Sequence, residues 1–122
     1  MRKKVKLLLL LTESQTCPLC QKRKATDLHE IVCPSMGDSK YHPLKEELAE
    51  WVYTVYNCVL LCNVCNVTIA NSRRDDLLRL KTSLYGIECV MASCRGIAGF
   101  LDIPSSRMPA SLDFEGKTYK IL

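Results

Sequence analysis

Asn57-Cys58-Val59-Leu60-Leu61-Cys62-Asn63-Val64-Cys65-Asn66 runs a short apolar strand straight into two thiols separated by two residues. A second pair with the same separation stands upstream, in Cys17-Pro18-Leu19-Cys20. Two intervening residues let both sulfurs of a pair converge on one ion at about 2.3 Å, and two such pairs complete a tetrahedron. A shell of four thiolates has no open position, so a zinc ion held by Cys17, Cys20, Cys62 and Cys65 would be structural. It would tie the chain before one strand to the chain after another. A redox Cys-x-x-Cys needs no second copy, and each copy here sits at a turn, so metal is the better reading. Cys33, Cys58, Cys89 and Cys94 lack this pairing and are expected in the core, where free cysteine is common.

Outward from the thiols, Asp27-Leu28-His29-Glu30-Ile31-Val32 reads as a short strand, followed by a loop over 34–40 that carries Pro, Ser, Gly and Asp. Pro43, Glu46 and Glu47 suit the first turn of a helix. Leu44, Leu48, Trp51, Val52 and Val55 fall on one face at helical spacing, which predicts a helix over 43–56. Another helix should begin close to Asn66 and break near Ser72-Arg73-Arg74-Asp75, which resembles a capping box. It should resume with Leu77, Leu80 and Leu84 on one face and stop at Gly86. Residues 87–94 suit one more short helix. From residue 99 onward the sequence favours loop, with a weak hairpin over 114–119.

The chain has 122 residues, enough for one domain with a modest core. Its formal charge of +4 is compatible with a nucleic-acid partner but does not by itself select one. Arg2, Lys3 and Lys4 ahead of the leucines at 7–11 resemble the start of an export signal. Lys6 interrupts that pattern, the apolar run is shorter than the roughly 7–15 residues a signal peptide needs, and no small-x-small site follows. A first helix whose leucines cap the core is therefore expected. No stretch approaches the roughly 20 apolar residues of a membrane span, and a reducing cytoplasm is the expected setting, where paired cysteines favour metal over disulfide.

The thiol pairs, Asp27-Leu28-His29-Glu30-Ile31 and Asn57, four residues short of Cys62-x-x-Cys65-Asn66, together resemble the HNH endonuclease family, closest to short phage-type members with zinc-binding cysteine pairs. The resemblance covers about residues 10–90, including Leu80-Lys81 and Tyr85-Gly86-Ile87-Glu88. It implies an α+β chain built on a small ββα-metal unit with flanking helices, with residues 1–98 as the zinc-stapled domain and 99–122 as a C-terminal extension. It further implies a second divalent ion, Mg²⁺ or Mn²⁺, with Asn66 in the final ligand position. Asn57 would restrain the backbone that orients the catalytic base. On the first strand two registers stay open. One makes His29 a ligand and Glu30 the base. The other makes His29 the base, with Asp27 as the nearest ligand. The implied activity is hydrolysis of DNA phosphodiester bonds, with Lys22, Arg23, Lys24, Arg73 and Arg74 approaching the backbone and a larger phage or host assembly as a further partner. The alternative is an accessory module of the same fold that binds DNA or protein without cutting.

Overall fold

Two strands of four residues each, β1 (Asp27–Glu30) and β2 (Cys58–Leu61), pair antiparallel with Asp27 opposite Leu61 and Glu30 opposite Cys58. The computed structural model describes residues 2–13, 15–33, 45–101 and 103, the side chains of 45–48 excepted. Among these, five helices surround the sheet: α1 (Arg2–Thr12), α2 (Lys45–Val52), α3 (Asn63–Thr68), α4 (Arg74–Tyr85) and α5 (Ile87–Leu101), with a 3₁₀ turn at Ala70–Arg73. The chain is α+β with a two-stranded sheet and a four-cysteine cluster.

Alternation along the strands gives each sheet face its own partner. Leu28, Cys58 and Leu60 pack with Val5 and Leu9 of α1 and with Ala25. Val59 and Leu61 on the opposite face join Leu77, Leu78, Val90, Cys94 and Ile97 of α4 and α5. All four residues of β2 are buried, as befits a strand covered on both sides. Burying a side chain such as Leu9 completely is worth about 1.5–3 kcal/mol, so α1 is held by few but well-placed contacts.

Several elements differ from the sequence reading. Only Val5 and Leu9 of α1 are fully buried, while Leu7, Leu8 and Leu11 are exposed, because a helix lying on one sheet face buries one stripe. Helix α2 ends at Val52, earlier than residue 56, and the chain turns through Tyr53 and Thr54 to reach β2. Trp51 is not a core residue: it is 41 % exposed, with its ring laid over Gly96 of α5, where an added Cβ would run into it. Ser72 caps no helix; its hydroxyl donates to the Ile69 carbonyl and closes the 3₁₀ turn, and α4 starts without a side-chain cap. Cys58 and Cys94 are buried, whereas Cys89 is exposed. Helix α5 continues past residue 94 to Leu101, which is buried together with Ile103. The loop over 34–40 and the weak hairpin over 114–119 lie outside the described residues, as do Leu44 and the side chain of Leu48.

The inward face of α4 is Leu77, Leu78, Lys81 and Thr82 rather than Leu77, Leu80 and Leu84, and Leu84 is exposed. Lys81 can point inward because Glu13, just past α1, meets it there. Lys81 Nζ donates to Glu13 Oε2 at 2.7 Å, and the Tyr85 hydroxyl donates to the same oxygen. Burial pushes the Lys81 ammonium below its ordinary pKa, and the Glu13 carboxylate opposes that shift. This pair locks α1 to α4 across the domain. Glu13→Gln should therefore destabilise the protein by about 3–5 kcal/mol in denaturant unfolding, because it leaves a buried charge unpaired. Glu13→Leu combined with Lys81→Met should recover most of that loss.

Candidate functional site

The turn at Cys17 is closed by two backbone bonds, Gln21 N–H to Cys17 O and Cys17 N–H to Arg23 O, both 2.8 Å. Making that turn puts Gln21 at φ 57°, the left-handed region that ordinarily favours glycine. The second turn opens α3. Cys62 is its N-cap, and its sulfur accepts the Cys65 N–H at 3.3 Å. The sulfurs of Cys17, Cys20, Cys62 and Cys65 all lie within 4.8 Å of one another, and those of Cys20 and Cys62 are 3.8 Å apart. A tetrahedral zinc with bonds of about 2.3 Å requires sulfur–sulfur edges of about 3.8 Å, so the quartet has the dimensions to hold a metal ion such as zinc. The backbone N–H groups of Arg23 and Lys22 bring the Cys20 thiol down to about 6, and the Cys65 N–H lowers Cys62. Burial pushes Cys65 up to about 12. The exposed Arg23 side chain lies near the sulfurs of Cys62 and Cys20, which raise its pKa.

Next to the quartet, β1 and α3 bring a second group together. His29 Nδ1 and Asn66 Oδ1 are 3.2 Å apart. His29 is only 7 % exposed, and its Nε2 is buried without a hydrogen-bond partner among the described residues. Burial first, then the Arg74 charge, lowers the His29 pKa against the opposing pull of Asn66 and Glu30, which favours the neutral imidazole. Asp27, two residues earlier on the same strand face, accepts from Asn63 Nδ2 at 2.9 Å and Thr26 Oγ1 at 3.0 Å. Those two bonds, with smaller help from Asn66 and Lys6, hold its carboxyl below the usual range.

Asn57 is fully buried and does not touch the pair; it holds their frame. Its Oδ1 accepts the Val32 N–H at 2.9 Å, and its Nδ2 donates to the carbonyls of Val32 at 2.9 Å and Val52 at 3.0 Å. The chain leaving β1 is thereby fastened to the chain entering β2. Arg74 adds a second brace, donating from Nε to Ile31 O at 2.8 Å while its other nitrogens reach Asn71.

Glu30 is not part of this group. As the neighbour of His29 on a strand it faces the opposite side of the sheet, where it pairs with Arg2 at 3.2 Å and lies against Tyr53. Among the cations nominated from sequence, Arg73 pairs with Asp76 and Arg74 braces the β1 exit, while Lys22 and Lys24 are exposed on the first turn. The sequence reading missed Arg2, Lys3 and Lys6 as site residues. They line a cleft of about 360 Å³ with Thr26, Asp27, Leu28 and Asn66. The available signal was Lys6 itself, a charge between Val5 and the leucine run, about one helical turn after Arg2 and Lys3. No protein-family model matches the chain, and neither a curated protein nor a solved structure shows significant similarity to it.

Asn57→Ala should cost about 2–4 kcal/mol, because it strands buried backbone groups of residues 32 and 52 that water cannot reach. Denaturant unfolding of the zinc-loaded chain measures this. Elemental analysis should find one zinc per chain, and replacing any one of the four thiols with serine should cause unfolding or loss of soluble protein.

Proposed function

We propose that the chain is a divalent-metal-dependent endonuclease of the HNH type that hydrolyses DNA phosphodiester bonds, on a ββα-metal unit stapled by structural zinc. The observation that carries this reading is the approach of His29 to Asn66, with Asp27 beside them. These residues come from β1 and α3, and both elements are fixed by the thiol quartet and by Asn57. No helix among the described residues is long and apolar enough to cross a membrane. A cytoplasmic setting, as in a phage-infected cell, with a larger assembly as recruiter, belongs to the same proposal.

The placement of Glu30 supports the register in which His29 is the base. Glu30 pairs with Arg2 and is not among the residues that line the cleft beside Asp27 and Asn66. Asp27 and Asn66 offer oxygen donors, which suit Mg²⁺ or Mn²⁺ better than imidazole does, and both line the cleft. A cation held there would stabilise charge on the scissile phosphate and the leaving oxygen. In this register His29, neutral and bonded to Asn66 through Nδ1, would accept the proton of the attacking water once that bond is released. This is the second of the two registers, with Asp27 as ligand and His29 as base. It gives the site both a ligand set and a base from three residues on one face.

One observation favours the non-cutting accessory reading: His29 is nearly sealed, and its Nδ1 is bonded to Asn66. A plasmid-nicking assay with Mg²⁺, Mn²⁺ or chelator separates the two. His29→Ala should lower turnover on the order of 10²–10⁴-fold with unchanged divalent-ion affinity. Asn66→Ala should weaken ion binding and be partly restored by excess Mn²⁺, and Glu30→Gln should leave turnover within a few fold. Because the His29 pKa is depressed, its neutral form persists below pH 6.5, so the acid limb of the pH–rate profile should fall on the acid side of that value. A zinc-loaded, folded wild type that never nicks would overturn the nuclease in favour of the accessory module.

A further inference from the structure

Of the five cations nominated from sequence, Arg23, Arg73 and Arg74 meet partners within the fold, and the exposed Lys22 and Lys24 do not line the cleft. The cleft beside Asp27 and Asn66 is supplied instead by α1. Arg2, Lys3 and Lys6 lie along one edge of that helix, while Val5 and Leu9 on its inner side anchor it to the sheet. Their position relative to the site is therefore set by core packing and not by a loop. Lys3 and Lys6 form no ion pair with any described residue and are exposed. Arg2 pairs with Glu30 and lies 5.5 Å from the Tyr53 ring centroid, yet its side chain remains 55 % exposed. Asn66, which lines the cleft, also meets Nδ1 of the buried His29 at 3.2 Å.

We propose that α1 is the strand-seating element of this protein: Arg2, Lys3 and Lys6 hold the phosphodiester backbone of a nucleic acid in the cleft beside Asp27 and Asn66. The inference rests on the nucleic-acid partner proposed above and assigns the residues that grip it. Four residues of helix at about 1.5 Å rise separate Arg2 from Lys6 by about 6 Å. That is about the axial rise of two nucleotides of one strand at about 3.4 Å each, a spacing that lets the row of cations follow a backbone. Contacts of this kind fix register and orientation and carry no sequence information.

The test is binding of a fluorescent 20-base-pair DNA duplex to the zinc-loaded full chain in Ca²⁺, by anisotropy across about 50–200 mM salt. Lys3→Gln combined with Lys6→Gln should reduce the slope of log K against log salt by about 2 and weaken binding at 0.1 M salt by about tenfold or more. Lys22→Gln combined with Lys24→Gln, outside the cleft, should keep the wild-type slope. Zinc content and circular dichroism check that both variants remain folded. A wild-type slope in the Lys3/Lys6 variant, a loss confined to the Lys22/Lys24 variant, or no duplex binding by wild type would each overturn the assignment. Plasmid nicking, measured separately, keeps this apart from the catalytic reading. Nicking with an unchanged slope sinks the role of α1 alone. A slope lost in the Lys3/Lys6 variant without nicking by wild type upholds that role and sinks the nuclease.

Discussion

The convergence of four sulfurs within 4.8 Å is the constraint on which the rest of this molecule depends. Two strands of four residues form too small a sheet to persist in water unaided. The turn before β1 and the turn after β2 each contribute two thiols, so a metal ion between them would fix both strand ends and the start of α3 at once. Zinc in such a shell contributes roughly 10–16 kcal/mol at neutral pH, as large as the whole stability of an ordinary domain at about 5–15 kcal/mol. On that scale the left-handed backbone at Gln21, costing about 1–2 kcal/mol, is a small charge against a tight thiol turn.

Asn57 performs the same service without metal. A side-chain amide has one acceptor and two donor hydrogens, and this one spends them on three backbone groups drawn from the two segments that flank the sheet. Sealed from water, those bonds are worth more than exposed ones, and losing one leaves an unpaired group in the core. The quartet and Asn57 together clamp β1 at both ends. His29 sits between the clamps, which is why a residue on so short a strand can be placed reproducibly against Asn66.

How much of this was legible in the sequence depended on the kind of signal. Cysteine spacing is local and chemically specific, so Cys17, Cys20, Cys62 and Cys65 could be grouped before any fold was known. Strand periodicity placed Asp27 and His29 on one face. It could not say what would stand opposite Glu30, because Arg2 is 28 residues away and meets it only once α1 has docked. Lys81 was hidden for a related reason. A lysine reads as a solvated residue unless its partner is known, and Glu13 is 68 residues distant. Trp51 was assigned to the core by helical spacing, but α5 presents Gly96 there and the ring lies across the helix surface instead. Each miss is a side chain whose environment is set by a long-range partner, and such pairings have no signature in a window of neighbouring residues.

The carboxylate at residue 30 is best understood through the face it occupies. Adjacent strand residues point to opposite faces of the sheet, so Glu30 leaves β1 on the side away from His29. There Glu30 meets Arg2 beneath the start of α1, while the Lys81–Glu13 pair holds the chain just past that helix's other end. An exposed ion pair alone contributes little, on the order of 0–1 kcal/mol. Val5 and Leu9 supply the adhesion, Glu30 and Tyr53 meet Arg2 at the start of the helix, and Arg2, Lys3 and Lys6 line the cleft with Asp27. Taken with the proposed use of the cleft, the one-residue step from His29 to Glu30 would turn the imidazole toward Asn66 and the carboxylate toward Arg2, so that the two neighbours meet different elements from opposite faces of β1.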